Sequence, residues 1–61
     1  MSVTNRCPVC GKSELEEYEI CEFCKWENDF QQLEHPDRKG CANRMSLNEA
    51  KEAYKAGKPV L

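Results

Sequence analysis

The sequence predicts a small α+β fold: a zinc ribbon in which a β-hairpin carries two cysteine knuckles and one C-terminal α-helix packs against it. Three observations predict it. Cys7-Pro8-Val9-Cys10 and Cys21-Glu22-Phe23-Cys24 form the pattern C-x2-C-x10-C-x2-C. Between them, Tyr18 and Ile20 alternate with Glu17 and Glu19, as a half-buried strand does. Near the end, Ser46-Leu47-Asn48-Glu49 reads as a helix capping box.

Size explains why a metal is expected. The chain has 61 residues, 39% of them hydrophobic, and that fraction includes five cysteines. A chain this short buries only about 60% of its unfolded surface. At roughly 1.5 kcal/mol of ordering entropy per residue, so thin a core needs a staple. There is room for one domain, spanning 1–61, with knuckles and hairpin over about 6–26, a linker over about 27–45 and a helix over about 47–56. No run of 18 apolar residues offers a membrane span. The opening Met-Ser-Val-Thr-Asn-Arg lacks the apolar region of a secretory leader. A cytoplasmic location is therefore expected, where disulfides are rare and closely spaced cysteines point to a metal.

The two knuckles come first in the chain. Each C-x2-C pair presents two sulfurs from one tight turn, and two pairs complete a tetrahedral shell. Pro8 fixes φ at the first turn's entry, and Gly11 can take the positive φ that aims backbone N–H groups at sulfur. Lys25 stands where the first knuckle has Gly11, and its charge can offset that of the sulfurs. Cys7, Cys10, Cys21 and Cys24 are the candidate ligands of one structural Zn²⁺, since four filled positions leave none for water or substrate. Iron suits the same donors. Disulfides or a redox dithiol are the other reading, but no βαβ frame supports a thioredoxin-like motif.

The gap between the pairs is ten residues, shorter than the usual 15–20 or so. It accommodates a hairpin running out over Lys12–Leu15 and back over Tyr18–Ile20, with Glu16-Glu17 near its turn. Trp26, Phe30 and Leu33 follow at helical spacing, in a segment too short to decide between helix and loop. They are read as a cover over the knuckles, the alternative being an exposed aromatic anchor for a partner. Pro36-Asp37 and Gly40 mark turns, and Asp37 and Asn43 are suited to hold them. In the helix, Leu47, Ala50, Ala53 and Tyr54 share one face. Met45 can staple the entry, while Gly57 and Pro59 end the helix.

Two residues stand outside this scheme. Cys41 lies among Arg38, Lys39 and Arg44 and reads as a small buried hydrophobe; the cations allow a reactive thiol instead. His35, before Pro36, lacks any nucleophile motif beside it and reads as a loop histidine.

Charge is uneven. The formal net charge is −2, yet residues 14–34 hold eight acidic side chains against Lys25 alone. Four thiolates on one Zn²⁺ take the total to about −4 on formal charges. Such a segment repels phosphate backbones and attracts basic protein surfaces, although it also serves solubility alone.

The chain resembles the cysteine-rich CPCC family. The resemblance runs from about Arg6 to Tyr54. It rests on Cys7-Pro8 and Cys10-Gly11, on Tyr18-Glu19-Ile20-Cys21, and on Cys24 with Trp26-Glu27 and Asp29. Pro36-Asp37, Gly40, Ala42-Asn43 and Ser46-Leu47-Asn48-Glu49-Ala50 extend it. It implies a zinc-binding fold and a bacterial or phage source, and little about activity. Val9 stands where the family's name has a cysteine, so that inner position is no obligatory ligand. Cys41 stands where the family more often has glycine.

The function expected is a non-catalytic, zinc-stabilised protein-binding module. Its acidic face, Glu16, Glu17, Glu19 and Glu22, would grip a basic protein, with an immunity- or antitoxin-type inhibitor of a basic toxin or nuclease as the specific form. One alternative is a nucleic-acid-binding ribbon using Arg38, Lys39 and Arg44. Another is a redox or metal-handling protein. No acid–base pair or open metal position points to an enzyme.

Overall fold

The computed structural model describes residues 4–61; Met1–Val3, the start of the segment read as lacking a leader, lie outside them. In chain order it contains strand β1 (Thr4–Arg6), strand β2 (Glu14–Glu16), helix α1 (Phe30–Glu34) and helix α2 (Leu47–Lys55). β1 and β2 are antiparallel, with Thr4 opposite Glu16, Asn5 opposite Leu15 and Arg6 opposite Glu14. Leu15 is buried between two exposed glutamates, the period-2 pattern of a strand with one face on a core.

The hairpin is not the one expected from the sequence. Glu14–Glu16 pairs with the residues before the first knuckle, not with Tyr18–Ile20. The cause lies just after β2. Tyr18 has φ +62°, which a strand cannot continue through. The Glu19 N–H donates to the Glu16 carbonyl at 3.1 Å, and the Glu19 carboxylate accepts from the Glu16 N–H at 2.8 Å. The chain therefore turns, and the segment beyond pairs with residues after the second knuckle. Tyr18 N–H donates to Asn28 (2.7 Å), Asn28 N–H to Glu19 (2.9 Å) and Cys21 N–H to Trp26 (2.9 Å), around a bridge between Ile20 and Glu27. Each knuckle thus sits at the tip of its own short ladder. Tyr18 and Ile20 are 53% and 58% exposed, so their alternation with glutamate marks no buried face.

The expected linker contains α1. Asp29 caps it, its carboxylate accepting from the Gln31 N–H at 2.8 Å. His35 leaves the helical region at φ −123°, ψ 80°, as a residue before proline does. Trp26 precedes this helix and is a core residue, 1% exposed.

Helix α2 follows its expected course. Ser46 Oγ accepts from the Glu49 N–H at 3.1 Å, and Glu49 Oε1 accepts from the Ser46 N–H at 2.9 Å. Leu47 and Ala50 are buried, with Ala53, Tyr54 and Met45 packed at the edge of the core. At the C-terminus, Gly57 at φ +74° allows Lys58 N–H to reach Ala53 and Gly57 N–H to reach Tyr54, a Schellman closure.

The core comprises Cys7, Leu15, Cys21, Cys24, Trp26, Leu47, Ala50 and Val60. With three of these eight positions sulfur, apolar burial is meagre, and buried amides complete the interior. Asn28 is fully buried; its Nδ2 donates to Asn5 Oδ1 (2.8 Å) and the Glu16 carbonyl (3.0 Å), tying the two ladders together. Gln32, also fully buried, donates to the carbonyls of Arg38 (3.0 Å) and Met45 (3.1 Å). Asn43 donates to Gln32 Oε1 and to the Glu27 carbonyl, both at 2.8 Å, and accepts from the Glu27 N–H at 2.9 Å. Among the described residues no buried side-chain polar atom lacks a partner, the condition on which buried polar groups are tolerated. No helix among them is long and apolar enough to cross a membrane.

Candidate metal centre

Cys7, Cys10, Cys21 and Cys24 converge, their sulfurs all within 4.8 Å of one another. Cys7 Sγ lies 3.5 Å from Cys24 Sγ, and Cys10 Sγ lies 3.6 Å from Cys21 Sγ. A zinc ion with bonds of about 2.3 Å to four sulfurs has tetrahedron edges of about 3.8 Å. The cluster is therefore close enough to hold a metal ion, and its donor chemistry and dimensions are compatible with structural zinc. None of these cysteines, nor Cys41, is in a disulfide. Cys7, Cys21 and Cys24 are buried, while Cys10 is half-buried.

The knuckles share one backbone form. Gly11 N–H donates to the Cys7 carbonyl at 2.9 Å, and Lys25 N–H donates to the Cys21 carbonyl at 2.8 Å. Both Gly11 and Lys25 have φ +69°. Lys25 thus occupies the glycine position of the second knuckle in the left-handed conformation that glycine adopts at little cost. This path turns backbone N–H groups onto sulfur: Lys12 to Cys10, Trp26 to Cys24, and Phe23 and Cys24 to Cys21. Such bonds spread thiolate charge and orient the ligands.

One further donor escapes any reading of the spacing. Ser13 Oγ lies 3.2 Å from Cys21 Sγ, crossing from the end of the first knuckle to the second. Burial acts to raise the Cys21 thiol pKa, but the Ser13 hydroxyl and the Cys24 and Phe23 N–H groups outweigh it, lowering the value to about 6. Burial raises the Cys10 and Cys24 thiols. The donors around Cys21 thus favour its thiolate, and a metal ion held by the four sulfurs would displace the protons that remain.

A sequence match decides the relationship. Residues 5–57 match the profile of the cysteine-rich CPCC family. The chain belongs to the cysteine-rich CPCC family. No curated protein matches it. In this CPCC chain Val9, inside the first knuckle, packs partly buried against the core, so the position carrying the family's extra cysteine serves packing here.

Lys12 stands near enough to Cys10 and Cys21 to feel their charge. Its amine lies 5.9 Å from the Tyr54 ring centre and 6.0 Å from that of Phe23. The Tyr54 hydroxyl, and more weakly the negative charge at Cys10 and Cys21, hold the Lys12 pKa above its ordinary value.

The acidic residues Glu16, Glu17, Glu19 and Glu22 are all exposed. Glu19 and Glu22 line a shallow groove with Glu14, Ser13, Leu15 and Ile20; Glu16 and Glu17 lie beyond it. Of the cations expected to act together, Arg38 donates to Gln31 Oε1 at 3.3 Å, Lys39 pairs with Glu49 at 3.2 Å, and Arg44 is exposed. Cys41 corrects the expectation of a buried hydrophobe. It lies outside the core, half-buried in a loop, with Sγ 3.8 Å from the Lys39 carbonyl. Asn43 differs from the expectation of a local turn cap, since its side chain reaches Glu27 and Gln32 instead; His35 and Asp37 are exposed.

Proposed function

We propose that this CPCC protein is a non-catalytic, cytoplasmic binding module, closed by one structural Zn²⁺ on Cys7, Cys10, Cys21 and Cys24, that grips a basic protein through its acidic edge. The groove lined by Glu14, Glu19 and Glu22 carries this reading, since it holds three carboxylates, no cation and the exposed Ile20. Electrostatic complementarity of this kind sets partner choice and association rate. A shell of four thiolates supports the structural role of the metal, because no position is left for substrate. A basic toxin or nuclease is the partner such a face fits, making an immunity- or antitoxin-type inhibitor the specific form.

The test is capture of partners from the native host at low and high salt. Wild-type protein should retain a basic partner that high salt releases. The variant E14K/E22K, which reverses two of the groove's three carboxylates, should lose it; capture that ignores these reversals overturns the reading. Glu19 is left out because its carboxylate holds the turn after β2. Nucleic-acid binding by Arg38, Lys39 and Arg44 has less support, as two of the three side chains already have partners. A redox role would require a Cys41-dependent disulfide and oxidant-driven metal release.

A further inference from the structure

The second knuckle separates two grooves of opposite character. On one side lie Glu14, Glu19 and Glu22. On the other lies a groove lined by Phe23, Lys25, Tyr54, Lys58 and Leu61, with no carboxylate side chain. Phe23 stands at the knuckle's tip, 54% exposed, although so small a core leaves few aromatic rings to spare. The Lys12 amine bridges the Phe23 and Tyr54 rings at 6.0 and 5.9 Å. The groove thus joins an exposed ring to two lysines of its lining, Lys25 and Lys58, while Lys12, outside that lining, holds its amine over one face of the ring.

We infer that this groove binds single-stranded nucleic acid, a base stacking on Phe23 while Lys12, Lys25 and Lys58 meet the flanking phosphates. The occupant follows from the pairing of the two chemistries. Lysines alone fit any polyanion, and an exposed ring alone fits any apolar group. A flat ring beside ammonium groups fits a chain alternating flat bases with phosphates. The net charge, −2 and about −4 with four thiolates on one Zn²⁺, opposes a polyanion over the surface as a whole, so binding must be local to this groove. This surface differs from the Arg38–Arg44 loop and from the acidic edge.

The experiment is fluorescence anisotropy of labelled oligo-dT and oligo-rU with zinc-loaded protein at low salt. The expected result is saturable binding that weakens as salt rises. Phe23→Ala should weaken it about 5- to 100-fold. Lys25→Gly removes one cation while keeping the backbone shape that Gly11 adopts, and should reduce the salt slope by about 0.7. Arg38→Ala and Arg44→Ala should leave binding unchanged. Absence of binding by folded, zinc-loaded protein overturns the inference, as does a Phe23→Ala variant that binds like wild type. Equal binding of a poly-glutamate peptide, insensitive to Phe23→Ala, would show an anion patch for acidic protein segments and also overturn it. Phe23 is exposed, so its variant should fold; Lys25→Gly provides an independent arm should it fail to do so.

Discussion

Lys25 adopts the backbone conformation of Gly11, φ +69° in both, at the equivalent position of the other knuckle. A side chain in this region costs about 1–2 kcal/mol, partly offset in any glycine variant by about 0.4–1 kcal/mol of unfolded-state entropy. Lys25→Gly should therefore stabilise the zinc-loaded protein by about 0.5–1 kcal/mol. Gly11→Ala, whose Cβ would meet nothing nearer than the Arg6 side chain at 4.0 Å, should destabilise it by about 0.5–1 kcal/mol on the same arithmetic. Thermal unfolding of the two variants checks the opposite signs.

Ser13 tunes the cluster through Cys21. In Ser13→Ala the Cys21 thiol should rise from about 6 towards its ordinary value. Protons then compete better for the sulfur, so the pH midpoint of zinc binding should move upward. The affinity at neutral pH should fall about 10-fold or more. In the metal-free protein a lowered thiol pKa contributes stability above the ordinary value of 9.0, and this is lost as pH falls through about 6. Competition titrations with a zinc-sensitive dye across pH measure the shift in zinc binding, and denaturant unfolding of the metal-free protein across pH measures the second effect.

The entry of α2 depends on reciprocal bonds between Ser46 and Glu49. Ser46→Ala should cost about 1 kcal/mol. The Ser46 N–H, and then Lys39, hold the Glu49 carboxyl below its ordinary value of 4.5. Its contribution is therefore present above that value and lost as pH falls through the lowered one. Helical circular dichroism of wild type and Glu49→Gln should converge on acidification, whereas Ser46→Ala, whose lost bond does not titrate, should keep its deficit.

Gln32 joins α1 to the turns before α2. Gln32→Leu keeps the volume but strands the carbonyls of Arg38 and Met45 and the amide of Asn43. A loss of about 2–4 kcal/mol is expected, since each buried polar group left unpaired costs about 1–3 kcal/mol and the site can partly rehydrate. Chemical denaturation of the zinc-loaded variant measures it. An unchanged midpoint would show that the network is dispensable.

The features legible in the sequence are those set within a few residues. The doubled C-x2-C spacing places four sulfurs together, and Ser46, Glu49 and Gly57 delimit α2 by local bonding. The hairpin register is hidden in the sequence because the residue that turns the chain after β2 is Tyr18, not the glycine or asparagine that usually signals positive φ. Helix α1 lacks a strong pattern because it is held by Asp29 and by Gln32 reaching eleven residues ahead to Asn43. The amide network and the Ser13–Cys21 contact arise from tertiary approach, which no periodicity encodes.

The uneven burial of the four sulfurs gives the cluster a doorway. Cys10 is the most exposed of the four, and Cys24 borders the groove beside Phe23. A ligand competing for an ion held here would meet Cys10 first. Affinity would belong to the whole shell, but the lifetime of the bound ion would be set at this one corner. Cys10→Ser should shorten it, and transfer of zinc to an excess of chelator, followed in time, reads that lifetime directly.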